Sequence, residues 1–181
     1  EELDQIVFSA RNFSEIFIID HSTSRSEAAS HTGGNCGKGG DFLYRWGNPL
    51  NYQRGFPSDK KLSGQHGVNW ISGSYPGSGN LILFNNVHDE FNSAVYEIET
   101  PINSNGCYDI NDETIFGPQE ILWIHTGGFQ SLKQSGAYRL SNGNTLVSNS
   151  YDSKIFEVNT HNQILWEYQP LDGIIARAQK Y

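Results

Sequence analysis

One pattern recurs along this chain and limits what it can fold into: strand-length apolar segments separated by Gly/Asn turns, met three times over. In the last third, GAYRL (136–140) is followed by a Ser-Asn-Gly-Asn turn, TLVSN (145–149), KIFEVN (154–159), a His-Asn turn and ILWEY (164–168). The middle third keeps the order: VNWIS (68–72), a Gly/Pro/Ser loop ending Gly79-Asn80, LILFN (81–85), AVYEIE (94–99) and ILWIH (121–125). Gly79-Asn80-Leu81 matches Gly143-Asn144-Thr145, Tyr96-Glu97-Ile98 matches Phe156-Glu157-Val158, and Ile121-Leu122-Trp123 matches Ile164-Leu165-Trp166. The first third fits without its first strand, as IVFSA (6–10), EIFIID (15–20) and FLYRW (42–46). GIIARAQ (173–179) reads as the opening strand of one more repeat.

Four antiparallel strands per repeat predict an all-β fold, a β-propeller of four-stranded antiparallel blades, about three of them present as an incomplete ring. The blade pieces are about 4–50, 62–126 and 134–170, with a further start at 173–181. A blade buries its two faces only by stacking between neighbours, which explains why the second and third strands are apolar at nearly every position. The competing architecture is a β-sandwich, but a sandwich has no reason to repeat Trp and Gly-Asn at equivalent places. Closed propellers use about four to eight blades, and an open arc exposes a sheet face at each end. Further blades, from the same polypeptide or another chain, are therefore expected partners.

Composition agrees and excludes some functions. Aromatics make up 13% of the chain, and 19 Gly with no Met suit short strands and tight turns rather than a helical bundle. A formal net charge of −8 without a basic stripe argues against nucleic acid as a partner. No stretch approaches the roughly 20 apolar residues of a membrane span. The chain opens Glu1-Glu2-Leu3-Asp4 with no signal-peptide pattern, so this N-terminus reads as mature or internal. Cys36 and Cys107 both lie in Gly/Asn-rich loops, and one disulfide or two free thiols are both open. Asn12-Phe13-Ser14 matches the glycosylation acceptor pattern.

Several segments resemble the arylsulfate sulfotransferase-type propellers of secreted bacterial proteins. They are Ser9-Ala10-Arg11-Asn12 before Ile16-Phe17-Ile18-Ile19-Asp20, Arg45-Trp46-Gly47-Asn48-Pro49, Gln65-His66-Gly67-Val68-Asn69-Trp70, Gly79-Asn80 through Asn85-Asn86, and Arg139 through Leu146. The resemblance implies transfer of a sulfuryl group from a phenolic sulfate ester to a phenol through a sulfated histidine, with no cofactor and no metal, in a secreted, extracellular or periplasmic protein. It implies catalytic roles for His66 and Arg11, and substrate binding by Asn69, Asn86 and Arg139. An imidazole is a competent nucleophile near neutral pH, and a compact anion needs His and Arg donors around it.

The departures from the family are as informative. Its Trp-x-His-x-Asn segment would precede Glu1, and its arginine after Phe-Asp-Asn-Gly falls on Glu90, following Phe84-Asn85-Asn86-Val87-His88-Asp89. This chain alone is accordingly expected not to turn over. The alternative function is a non-catalytic propeller used for binding or structural attachment.

The other chemistry-bearing residues have plainer readings. His88 reads as a solvent-exposed loop residue and His125 as a structural residue on an outer rim; His21 and His31 flank a long loop, and His161 lies in a hairpin turn. None has metal-ligand spacing. Arg45 is expected to stack on the Trp46 indole. Asp109, Asn111, Asp112 and Glu113 resemble a calcium loop in composition only.

Overall fold

The computed structural model describes residues 3–109, 113–171 and 173–180. The strands form where the apolar segments end in turns. They are β1 (Gln5–Ala10), β2 (Glu15–Asp20), β3 (Phe42–Trp46), β4 (His66–Trp70), β5 (Leu81–Asn85), β6 (Ala94–Ile98), β7 (Trp123–Thr126), β8 (Gly136–Arg139), β9 (Thr145–Asn149), β10 (Lys154–Val158) and β11 (Ile164–Tyr168). They make three antiparallel sheets, ordered β1-β2-β3, β4-β5-β6-β7 and β8-β9-β10-β11. The only α-helix among the described residues is one turn, α1 (Arg25–Ala28), closed by a capping box of Ser24 and Glu27. Among the described residues no helix is long and apolar enough to cross a membrane.

Two expected strands are displaced and one is absent. β4 begins at His66 rather than at 68, because Gly67 adopts φ +66° and a register shift lets His66 pair with Phe84 and Asn69 with Ile82. A side chain at Gly67 would also stand 3.1 Å from the Gly136 Cα, where β4 passes β8. β7 starts at Trp123, two residues later than expected. The segment 173–179 is not a strand: it carries no ladder, its conformation being irregular throughout the described residues. Without a paired neighbour, its backbone groups meet other partners, such as the Ile175 carbonyl that accepts from Ser150 Oγ at 2.8 Å.

The chain divides into two compact units, one of residues 1–61 and 100–119, the other of 62–99 and 120–181. In the first, Ile16 and Ile18 of β2 and Tyr44 and Trp46 of β3 share one buried face, and Leu43 is buried as well. The segment 100–119, which leaves the chain between β6 and β7, completes this core. Tyr108 stacks on Tyr44 at 5.2 Å, the Tyr44 hydroxyl donates to the Gly117 carbonyl at 2.6 Å, and the Trp46 indole donates to the Pro118 carbonyl at 2.8 Å. Burial pushes the Tyr108 phenol up to about 12. Cys36 and Cys107 are joined as a disulfide, with Cα atoms 5.7 Å apart. Arg45 does not stack on Trp46. Successive residues of a strand point to opposite faces, so Arg45 lies 4.5 Å over Tyr52 and grips the buried Glu15 with two hydrogen bonds of 2.9 and 2.6 Å.

The second unit is built of the two four-stranded sheets. Ile82, Phe84 and Val95 of one pack against Ala137, Val147, Phe156 and Val158 of the other, with Ile71 and Phe129 closing the cluster. Leu81, Leu83, Tyr96 and Ile98, on the opposite face of β5 and β6, are buried as well. A two-sheet sandwich covers one face of each sheet, so the sandwich reading does not account for this burial.

The repeated Gly-Asn and Glu are one structural device. Gly79 and Gly143 take φ of +86° and +87°, a region that favours glycine, and swing the following asparagine toward the third strand. Asn80 Nδ2 then donates to Glu97 Oε1 at 2.7 Å, and Asn144 Nδ2 to Glu157 Oε1 at 2.7 Å. The Asn144 bond, helped by those from Trp166 and Asn142, holds the Glu157 carboxyl below the ordinary range against the opposing effect of burial.

The disulfide closes a loop with a sequence separation of 71 residues. Loop-closure entropy for that length corresponds to about 4 kcal/mol. Cys36→Ser/Cys107→Ser is expected to lower unfolding stability by roughly 2–4 kcal/mol in urea titrations. Thiol titration of the unfolded, unreduced chain should detect no free cysteine; a full complement of free thiol rejects the bond.

Candidate functional site

β4 carries His66 and Asn69 on a strand whose side chains are all half-buried. Past the end of β5, the buried Asn86 turns its side chain back toward that strand, and its Oδ1 lies 2.8 Å from His66 Nδ1. The Asn86 amide is itself anchored: Nδ2 donates to the Ser131 carbonyl at 2.7 Å and to the Gln134 carbonyl at 3.1 Å. Both carbonyls belong to the segment leading into β8. Gln134 and Ser135 there have φ of +51° and +78°, uncommon for residues other than glycine and a local backbone cost.

A web of buried serines sets that segment in place. Ser93 Oγ donates to the Asn86 carbonyl at 2.7 Å and accepts from Ser131 N at 2.9 Å. Ser135 and Ser150 exchange backbone-to-hydroxyl bonds of 3.1 and 3.0 Å. Asn69 Nδ2 reaches across to the Ala137 carbonyl at 3.0 Å. The serine web escaped the sequence reading, although its signal was available: Ser150 follows TLVSN as Asn86 follows LILFN.

The structure thus brings His66 and Asn86 together, with Asn69 two residues beyond Gly67 on the same strand. Arg139, on β8, is 7% exposed, and two of its guanidinium nitrogens already have partners. It pairs with Glu97, donates to the Gly143 carbonyl at 2.8 Å and lies 5.3 Å over the Trp123 ring. Arg139 therefore shares its guanidinium with a carboxylate and a backbone carbonyl inside the second unit. Arg11 belongs to the other unit, in a short 3-10 turn (Arg11–Phe13), where it is exposed and its guanidinium lies 3.5 Å from the Asn12 side-chain oxygen. Asn86 and Asn69 likewise spend their amide N–H groups on backbone carbonyls.

The remaining histidines are placed. His88 is exposed, with Nδ1 2.6 Å from the Tyr96 hydroxyl. His125 is buried rather than set on a rim, stacked with Trp123 and Phe129 at ring distances of 6.0 and 5.7 Å and tilted against Phe156 at 5.7 Å. Its neighbours come from both sheets, which is why the strand end that looked peripheral is interior. His21 and His31 contact Asp4 and Asp41 at 2.7 and 2.9 Å. Glu90 is exposed. Of the acidic loop, Asp109 accepts from Asn103 at 2.9 Å, while Asn111 and Asp112 lie outside the described residues. Among the described residues no group of three or more His, Cys, Asp or Glu is arranged to hold a metal ion.

Two stability experiments follow from these buried charges. Arg139→Leu leaves Glu97 without its cation and is expected to cost about 3–5 kcal/mol by urea denaturation, with much of the loss recovered in Arg139→Leu/Glu97→Leu. An equal loss in both variants contradicts the pairing argument. Burial pushes the His125 imidazole down, opposed by its contact with Asn162. Below the unfolded-state value of about 6.5 the unfolded chain takes up a proton that the folded one resists, so stability falls as pH drops through that region. His125→Phe should flatten this part of the profile; an unchanged slope assigns the effect to other groups.

Set against known proteins, the chain matches no protein-family model and no curated protein.

Proposed function

We propose that this chain is part of a secreted β-propeller of the arylsulfate sulfotransferase kind, in which each sheet is a blade and His66 meets a phenolic sulfate ester. The observation that carries the reading is the half-buried His66 imidazole, oriented by a buried amide on the first strand of its sheet. Supporting the propeller are the meander order of the sheets, the burial of both faces of β5 and β6, and the close passage of the first strands β4 and β8 at Gly67 and Gly136. Exposed apolar residues on β11, among them Leu165 at 51% and Tyr168 at 56%, support the packing of a further blade there. The Cys36–Cys107 bond supports an oxidising compartment.

In the reaction concerned, an imidazole lone pair attacks sulfur, the sulfur–oxygen bond breaks and phenoxide leaves. An acceptor phenol then displaces the nitrogen, losing its proton to a base and restoring the imidazole. Stabilising the anionic transition state needs cationic donors aimed at the sulfuryl oxygens. Here Arg139 is committed to Glu97, and Glu90 stands where the family has an arginine. These two residues favour a second reading, a propeller that binds sulfate esters or other ligands without transferring them. The conclusion for these residues by themselves is therefore binding at His66 without turnover. Removal of one such donor typically costs about 10²–10³ in rate.

The test supplies a chromogenic phenyl sulfate and a phenol acceptor. The expected result is no turnover, with phenyl sulfate shifting the His66 ring resonances in wild type. Saturable turnover that disappears in His66→Ala overturns the non-catalytic conclusion. Absence of any ring shift at millimolar phenyl sulfate overturns the sulfate-ester reading.

A further inference from the structure

We infer that Asn86 is a positioning residue for His66, locking the neutral imidazole as its Nδ1–H tautomer so that the lone pair sits on Nε2. The inference rests on the reading of His66 as the reacting group and specifies how it is prepared.

The argument is one of donor and acceptor inventory. A side-chain amide has two N–H protons and one carbonyl oxygen. Both Asn86 protons are used, on the Ser131 and Gln134 carbonyls, at 2.7 and 3.1 Å. Those partners accept only, so turning the amide over would set its oxygen against two carbonyl oxygens in a buried place. The Asn86 side chain is 1% exposed, leaving no water to relieve such a clash. Oδ1 is therefore the atom that faces His66, and it too can only accept. The 2.8 Å contact is a hydrogen bond only if Nδ1 carries the proton. The remaining nitrogen of the neutral ring, Nε2, then has a free electron pair.

The corresponding corner of the next sheet shows what this place does without an imidazole. Ser150, which follows β9 as Asn86 follows β5, exchanges bonds of 3.1 and 3.0 Å with Ser135 and serves the backbone alone. The left-handed backbone at Gln134 and Ser135 directs a carbonyl at the Asn86 amide. One sheet thus uses the corner to join strands, and the other uses the same corner to orient a ring.

The chemical consequence separates two roles for His66. A neutral ring held as Nδ1–H offers a substrate a nucleophile or base at Nε2, and not a hydrogen-bond donor to sulfuryl oxygens. The resemblance implied a catalytic role for His66 without specifying it; the Asn86 contact assigns its neutral form to attack or proton abstraction.

Long-range proton–nitrogen NMR of uniformly labelled protein reads the tautomer directly, with His66 assigned by its loss in His66→Gln. Above the titration of the ring, Nδ1 should show the shift of a protonated nitrogen and Nε2 that of an unprotonated one. A protonated Nε2 overturns the inference. Asn86→Ala, checked for folding by its amide spectrum, should move His66 toward the Nε2–H form; retention of Nδ1–H there overturns the positioning role. If that variant does not fold, the wild-type spectrum still decides. No sulfate ester enters this experiment. An Nδ1–H ring that ignores phenyl sulfate refutes the proposed function and leaves the assignment of Asn86 standing.

Discussion

The carboxylate of Glu97 joins the two sheets of the second unit. It lies on β6, accepts from Asn80 in the turn before β5 and pairs with Arg139 on β8, in the neighbouring sheet. A buried charge is tolerable only when it is given partners, and here they come from two separate parts of the chain, the turn before β5 and β8. The Gly-Asn turn, the glutamate and the arginine are thus interdependent, and the apolar cluster of Ile82, Phe84, Val147 and Phe156 forms in the register this arrangement sets. Glu157 repeats the device in the last sheet, with Asn144 in the turn and Lys180 as its cation at 3.7 Å.

That constraint shapes the chemistry available. Arg139 on β8 is engaged by the buried Glu97 carboxylate and the Gly143 carbonyl. His66 is organised differently. Its ring is half-buried, its partner is a neutral amide, and that amide is held by backbone carbonyls rather than by charge. The place is rigid without being electrostatically saturated, which suits a group whose own lone pair is to be used.

The strand content was readable because strand formation is local. LILFN and AVYEI are apolar at successive positions, and both faces of β5 and β6 are buried. Of the site, His66, Asn69 and Asn86 were named from sequence, and two of the three, His66 and Asn86, lie within hydrogen-bond distance. The failures were long-range. Nothing in GAYRL announces the partner of Arg139, Glu97, 42 positions earlier. His125 looked peripheral because its ring neighbour Phe156 belongs to another sheet. GIIARAQ has the pattern of a strand, yet a strand exists only with a hydrogen-bonded neighbour, and its described residues have no ladder.

What the sequence determined by itself is the all-β character, the repeat and the turns, because hydrophobic runs and glycine conformations act over a few residues. What the tertiary structure decided is which polar groups meet. It drew 100–119 into the first unit through Tyr108, Gly117, Pro118 and the Cys36–Cys107 bond, where the sequence left both one disulfide and two free thiols open. It matched Arg139 to Glu97 and Asn86 to His66. Such pairings rest on the desolvation of polar atoms brought together from distant positions, and a buried donor or acceptor must find its partner wherever the fold places one.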